Sequence, residues 1–596
     1  MTDRIRSSAP GLEIMKATAL VMLILALVLP AGARNKKVSS DVPQNGNNAV
    51  NVIVQFTTPP VQRHRDKVNQ RGGLVMQDLS LVKGLQASLT PAQIDDLASD
   101  PEVIHISPDR TVKGTLNNAA PAVNAPYAWS QGLDGSNIAV AVIDSGIQDN
   151  TTLNVPTGSH PVLALLSNLA GTADLNVAGT KTSRVVYNQS WVNDGYGALD
   201  MYGHGTHVSG IIGGDGYHST GPQFIKTFKG IAPNVKLVNL RVLDSNGMGT
   251  DSSVIAAVQT AIQLKNTYNI RVINLSMGRP VFESYTLDPL CQAVEAAYKA
   301  GIVVVVAAGN DGRDNSEGTN GYATITAPGN DPYVITVGAM KAMGTPTRAD
   351  DLIATYSSKG PTAIDHIVKP DIVAPGNRQI SLYGWGASLT STYSQNVVPV
   401  SYYRNGNSSK ASPWYYTMSG TSMAAPVVSG AVALLLQAQP ALTPDQVKAR
   451  LMKTAWKTFP TYSSYTDPTT EVTYTDQYDI FTVGAGYLDI QAALTNTDVF
   501  TGVAASPAVQ YDPTTGSVYF VSGSSAMWGS SAVWGNNVFV GSQSAMWGSS
   551  AMWGSSAMWG SSSTEGFSAM WGSSAMWGSS TSDGTESVDI LINGEK

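Results

Sequence analysis

Apolar positions along this chain fall into distinct regimes. From Ser136 onward, short runs rich in Val and Ile, namely IAVAVID, KLVNLRVL, VINLSMG, IVVVVAAGN and VITVGAM, alternate with SSVIAAVQTAIQLK and CQAVEAAYKA, where apolar residues recur every three or four positions. Runs that are apolar at nearly every position predict strands covered on both faces, and the helical stretches between them predict parallel crossovers. The expected fold class is α/β: a doubly wound, mostly parallel sheet sandwiched by helices. In such sheets functional groups collect at the carboxyl ends of strands. Asp144, Ser276 and Asn310 fall at or just beyond such ends.

The flanking regions read differently. Residues 51–110 run NVIVQF, VQRHRDKVNQRGG, LVKGLQASL, TPAQIDDLASD and EVIHISPDR, a succession that predicts a small antiparallel sheet with two helices. Ahead of it, Arg4, Arg6 and Lys16 precede the apolar run ATALVMLILALVLP and the small-residue site Ala31-Gly32-Ala33. That run is shorter than the roughly 20 residues needed to span a bilayer, so it predicts a signal peptide cleaved after Ala33. No later apolar run of spanning length is expected, and the processed protein is expected to have no transmembrane anchor. The globular pattern closes near GAGYLDIQAAL, after which a hexad resembling SSAMWG recurs, with Trp528, Trp534, Trp547, Trp553, Trp559, Trp571 and Trp577. The resulting division is 1–33 signal peptide, 34–116 small α+β domain, 117–497 α/β domain and 498–596 Trp-rich repeat region.

Charge and cysteine usage narrow the function classes. Residues 1–115 carry 13 basic and 10 acidic side chains, leaving 23 basic against 33 acidic in the remainder. An acidic body argues against a nucleic-acid partner, which would want a basic face. Cys291 is the only cysteine, so an exported chain would hold no intramolecular disulfide. Its place in LDPLCQAVEAAYKAG suits a small buried packing residue better than a catalytic thiol.

Three motifs carry chemistry, in the order VIDSG with Asp144, GHGTHVSG with His204, and GTSMAAP with Ser422. A serine hydroxyl becomes an acyl-transfer nucleophile when an imidazole takes its proton and a carboxylate orients that imidazole. Asp144 ends a buried strand, where a carboxylate needs a partner. Gly203 and Gly205 leave room on either side of the His204 ring. Ser422 opens the apolar helix SMAAPVVSGAVALLLQAQ, whose free backbone donors favour a developing oxyanion. His207 lies three residues after His204 without the four-residue spacing and intervening Glu of zinc helices, so metal catalysis is not expected. Asn310 follows a strand either as a turn former or as an amide donor.

These motifs resemble those of the subtilases, the subtilisin-like serine peptidases, over roughly Asn117 to Thr497. The resemblance implies a serine-type endopeptidase with Asp144 as orienter, His204 as base, Ser422 as nucleophile and Asn310 in the oxyanion hole. It implies substrate-binding roles for Ser276, Met277, Gly278, Gly247, Gly249 and Gly309, an extended peptide pairing with SMG and NGMG. Arg279 departs from the small residue common in the family. Residues 34–116 resemble the subtilase inhibitor prodomain, which implies a zymogen, matured by self-cleavage between Lys113 and Asn124, with the prodomain as intramolecular inhibitor. No cofactor is required for the chemistry; structural calcium is a frequent ligand in the family, and the sequence leaves any site for it unknown.

Compared with the family pattern, insertions are expected between Asn150 and Asp200 and between Gly376 and Gly420. The second is rich in Tyr and Trp, including Tyr383, Trp385, Tyr402 and Trp414, and is read either as a wall of the substrate cleft or as a structural flap. The leading reading is a secreted, self-processing endopeptidase acting on protein or peptide substrates. The alternative is a surface-adhesive protein whose Trp-rich tail binds a surface or polymer. A lipase or esterase is disfavoured by residue order and the missing Gly-X-Ser-X-Gly elbow.

Overall fold

The computed structural model describes residues 35–39, 41–43, 46–109, 111–114, 120–149, 173–316, 318–343, 345, 347–406, 410–512, 517–520 and 590–595. The leader expected at 1–33, the SSAMWG hexads and residues 150–172 of the first expected insertion lie outside them.

At the N-terminal side, β1 (Val50–Phe56), α1 (Gln62–Gln70), β2 (Leu74–Leu79), β3 (Gly84–Leu89), α2 (Pro91–Ala98) and β4 (Val103–Pro108) form an antiparallel sheet in the order β2-β3-β1-β4 with two helices. Thr90 caps α2 by accepting from the Gln93 amide, the reciprocal arrangement that TPAQ encodes. A fifth strand, β5 (Thr111–Gly114), leaves this unit and runs into the next.

Beyond it come α3 (Ala125–Ser130), β6 (Ala139–Asp144), β7 (Val185–Ser190), α4 (His204–Gly213), β8 (Lys236–Arg241), β9 (Met248–Thr250), α5 (Asp251–Tyr268), β10 (Ile270–Leu275), β11 (Met277–Gly278), α6 (Pro289–Lys299), β12 (Val303–Ala307), β13 (Ile335–Lys341), β14 (Leu352–Ile353) and β15 (Ile372–Pro375). The main sheet runs β14-β13-β12-β10-β6-β8-β7 with β15 on β13, and every pairing but β13–β14 is parallel. Strand order reverses at β6, so the carboxyl end of β6 is the topological switch point where a doubly wound sheet opens a crevice.

Alternation along β6 shows why these runs had to be apolar throughout. Val140 and Val142 face one core, while Ala139, Ala141 and Ile143 face another formed with α5 and α6. Each fully buried Val or Ile contributes about 1.5–3 kcal/mol, which holds both helical layers to the sheet.

The remaining elements are β16 (Gln379–Leu382), α7 (Ser388–Thr392), β17 (Val397–Pro399), β18 (Ala411–Met418), α8 (Thr421–Ala438), α9 (Pro444–Thr454), β19 (Tyr462–Thr466), β20 (Thr473–Gln477) and α10 (Ile490–Thr495). Helix α8 is long and apolar enough to cross a membrane by length and composition, contrary to the expectation that no such run follows the leader, but 89% of it is wrapped in protein. It packs so closely on α4 and the loop before β8 that a Cβ at Gly430 would stand 3.4 Å from Ile212 O and 2.5 Å from Ile231 Cβ. Packing against the α/β layers continues past Thr497: Ser506 is buried and donates to Asp371 at 2.5 Å, and Ile590, Leu591 and Ile592 join the same core as α8.

Candidate active site

Asp144 is the last residue of β6 and is 1% exposed. Its Oδ1 lies 2.5 Å from His204 Nδ1 and accepts from the Ser145 amide at 2.7 Å. A carboxylate on Nδ1 selects the tautomer with the proton there, leaving Nε2 basic. The first turn of α4 reaches Asp144 because Gly205 has no side chain: a Cβ there would meet Gly146 O at 2.2 Å and Asp144 Cβ at 3.1 Å. Gly203 enters the helix at φ +100°, in the left-handed region where glycine alone is comfortable.

Asp200 was not singled out in the sequence, yet it organises this turn. Fully buried, it accepts from the amides of Tyr202 (3.1 Å) and Gly203 (2.7 Å) and from Ser145 Oγ (2.8 Å) through Oδ1, and from the Thr206 amide (2.8 Å) through Oδ2. Four donors surround its charge at the positive end of α4, and no cation is needed to keep it there.

Ser422 is the second residue of α8 and is buried. Its carbonyl accepts from Ser276 Oγ (2.8 Å), which accepts from Asn274 Nδ2 (2.9 Å), and Asn274 Oδ1 accepts from Ser429 Oγ (2.8 Å). This internal chain pins the start of α8 to the end of β10. Asn310 Oδ1 accepts from the Thr421 amide (2.9 Å) and Thr421 Oγ1 (3.1 Å), which turns its NH2 end away from Thr421. Thus Asp144 and His204 are joined directly, and Asn310 is joined to the residue preceding Ser422.

The substrate-binding candidates divide. Strand β5 lies between β9 and β11, antiparallel to both: Val112 pairs with Gly249, Lys113 with Met248 and Gly278, and Gly114 with Met277. Gly249, Met277 and Gly278 therefore present backbone to an extended segment. Met277 sends its side chain into the core on the α5 and α6 side, and the Ser276 hydroxyl is committed to the Ser422 carbonyl. Gly309 packs against Thr326 and Ser358, and Gly247 against the Tyr202 ring, so these two shape the walls.

Arg279, the residue after β11, is buried. Its guanidinium forks onto Asp251, which opens α5, and Asp288, which caps α6, at 2.7–3.1 Å. Burial alone would lower the Arg279 pKa, but the two carboxylates outweigh it and hold the group well above its usual value. His207 is buried with Nε2 3.1 Å from Tyr416 O, and burial pushes its pKa down to about 3, which suits a packing residue. Burial likewise pushes the Cys291 thiol up, so it is no nucleophile.

The aromatic insertion folds as a small sheet, β16-β18-β17. Tyr403, Tyr415 and Tyr416 are buried, Trp414 stacks on His218 at 3.7 Å, and Tyr402 remains exposed. The insertion also grips the turn ahead of α4, with Ser388 N and Leu389 N donating to Met201 O and Tyr202 O. It is thus a packed flap bracing the His204 helix. Among the described residues, no group of three or more His, Cys, Asp or Glu side chains is placed to hold a metal ion.

Comparison with known proteins gives consistent relatives. A family model described as "Subtilase family" matches residues 135–486, more than half of the chain. Serine protease AprX of Bacillus subtilis (strain 168) is 35% identical over 373 residues, covering 61% of this chain and 72% of that protein. Subtilisin E of the same organism is 31% identical over 396 residues, covering 66% and 81%. An extracellular serine proteinase of Thermus sp. (strain Rt41A) is 32% identical over 371 residues, covering 62% and 70%. Among solved structures, fervidolysin from Fervidobacterium pennivorans, described as a keratinolytic enzyme related to subtilisin, matches with a TM-score of 0.52 at 21% identity, over 78% of this chain and 63% of that one. At that identity the match speaks to fold alone.

Proposed function

Because the chain belongs to the subtilase family of serine-type endopeptidases, we propose that it is a secreted endopeptidase acting through Ser422, His204 and Asp144 and maturing by cutting its own N-terminal domain. The observation that carries this reading is the buried 2.5 Å contact of His204 Nδ1 with Asp144 Oδ1 beside the helix that Ser422 opens. Ser422 Oγ attacks the scissile carbonyl while His204 Nε2 takes its proton, and Asp144 stabilises the imidazolium. The tetrahedral oxyanion sits between the Asn310 amide and the Ser422 backbone N–H, aided by the α8 dipole. Collapse expels the amine with the proton from His204, and water then hydrolyses the acyl-enzyme by the reverse exchange. Proteins and peptides in extended form are the substrates, bound by strand addition as residues 111–114 are.

The N-terminal unit is the inhibitor of this site in the zymogen. It rests on α5, α6 and the loop before α6 through Gln55 Nε2 to Gln292 Oε1 (2.6 Å), Leu81 N to Gln259 Oε1 (3.1 Å) and a bond between His105 and Glu283. Asp109 accepts from the amide and hydroxyl of Ser252 in the first turn of α5, so the unit also caps a catalytic-domain helix. The leader at 1–33 directs export, as the name of the extracellular Thermus relative suggests by analogy.

The test is expression of the full chain and of Ser422→Ala in a host lacking other proteases, with intact-mass measurement of the products and fluorophosphonate labelling. Wild type is expected to label and to lose its N-terminal domain between Lys113 and Asn124, and Ser422→Ala to do neither. Cleavage of the Ser422→Ala chain in that window, or an unlabelled wild type, would overturn the reading.

A further inference from the structure

The last described residues, Ile590–Glu595, lie inside the catalytic body. Ile590, Leu591 and Ile592 enter the main core, and Glu595 is 1% exposed although it carries a carboxylate. A single turn brings the Gly594 amide onto Ile590 O at 2.9 Å, and Gly594 packs against Ser419 and Asn377, where a Cβ would stand 2.1 Å from Ser419 Oγ.

The polar groups that receive this peptide come from the segment before Ser422, the loop after Asn310, the aromatic insertion, and the chain at Lys341 and Thr355. The Ser419 amide, three residues before Ser422, donates to Leu591 O at 3.0 Å. Asn377 exchanges two bonds of 2.8 Å with the Glu595 backbone, and the preceding Gly376 O accepts from the Gly420 amide at 2.8 Å. Asn396 of the aromatic insertion donates to Ile592 O. The Glu595 carboxylate accepts from Arg313 (3.0 Å), which lies three residues after Asn310, and from the amide (2.8 Å) and hydroxyl (2.6 Å) of Thr355. Lys341 adds a second cation at 3.9 Å. A buried carboxylate is costly unless paired and hydrogen-bonded, and here three donors and a nearby ammonium meet it, so this is a fitted receptor for one peptide.

We infer that Ile590–Glu595 is a positioning element of the active site: the catalytic domain has a receptor for this peptide, which clamps the strand before Ser422 to the loop after Asn310. The inference goes beyond the peptidase reading and rests on it only for the identity of the two clamped residues.

Three measurements test it. A chain lacking residues 590–596 is expected to show kcat lowered about 10- to 100-fold with KM nearly unchanged, the signature of a misplaced reacting group rather than lost substrate contacts. The free peptide Ile-Leu-Ile-Asn-Gly-Glu-Lys, fluorescein-labelled, is expected to bind that chain saturably and, unlabelled, to restore its rate. Binding does not depend on which residue is the nucleophile, so failure here is distinct from failure of the peptidase reading. Should the shortened chain not fold, Glu595→Gln, which keeps shape and removes charge, is expected to fold and to label with fluorophosphonate at least about threefold more slowly. Unchanged kcat in the shortened chain, absence of peptide binding up to about 1 mM, or a Glu595→Gln labelling rate equal to wild type would overturn the inference.

Discussion

Replacing Asp200 by Asn perturbs His204 without touching it. In the native site one carboxylate oxygen serves Ser145, Tyr202 and Gly203, and the other serves the Thr206 amide. An asparagine keeps one carbonyl oxygen for the first three donors and aims its NH2 at the Thr206 N–H, a donor against a donor. The buried Thr206 amide then goes unsatisfied, at about 1–3 kcal/mol, and the helix terminus loses its counter-charge, about 0.3–1 kcal/mol more. The sum, roughly 1.3–4 kcal/mol, falls on the first turn of α4, where His204 is held. A shift of that turn loosens the 2.5 Å contact with Asp144, so kcat/KM on a soluble chromogenic peptide is expected to fall about 10- to 100-fold. The thermal midpoint should fall by about 3–10 °C. Asp200→Ser, which retains a short acceptor, should lose less activity than Asp200→Ala. An Asp200→Asn enzyme within twofold of wild type in kcat/KM, with an unchanged midpoint, would refute the argument that this carboxylate holds the histidine in place.

Other expectations follow from buried groups. Arg279→Leu strands the carboxylates of Asp251 and Asp288 without their cation and is expected to cost about 3–5 kcal/mol in a denaturant titration, leaving KM of any surviving folded enzyme unchanged. Asn310→Ala should lower kcat about 100- to 1000-fold with little change in KM, a magnitude known for subtilisin itself rather than worked from these distances. Burial pushes Lys448 down to about 7 despite Asp371 beside it. With the folded value below the unfolded one of about 10.4, the unfolded chain binds more protons between them. Its contribution to stability therefore grows as pH rises from about 7 to 10 and is lost as pH falls. Urea midpoints at pH 7.5 and 9.5 should show that rise in wild type and a smaller one in Lys448→Met; equal slopes would refute it.

Strand runs such as IVVVVAAGN announced their place because a sheet covered on both faces leaves no position for a polar residue, and Val303–Ala307 is buried throughout. Asp144 was legible for a related reason, since a carboxylate closing such a run needs a partner. Asp200 was not. It sits in the polar stretch GYGALDMYGHG, where a carboxylate looks solvated, and it caps α4 from outside the usual N-cap position. Ser276 was read as facing substrate because of its motif, but only coordinates reveal that its hydroxyl points back to the Ser422 carbonyl. Arg279 looked like an anomaly of specificity; its partners, Asp251 and Asp288, lie 28 and 9 residues away and meet it only when α5 and α6 stack. The three apolar residues of ILINGE are too few to signal an element, and their receptor is assembled from segments far away in the chain, Ser419 nearest and Arg313 farthest.

The slot filled by Thr111–Gly114 is bordered on both flanks by main chain, not by pockets alone. A guest that follows the same path must straighten out and free its amides and carbonyls on two sides at once, which no helix and no inner ribbon of a folded target can do without first coming apart. Susceptibility of a prospective victim would then track how readily it frays at the cut, governed by its own opening equilibrium, more than by the letters flanking the bond. Such a peptidase would spare well-knit neighbours and clear loosened ones.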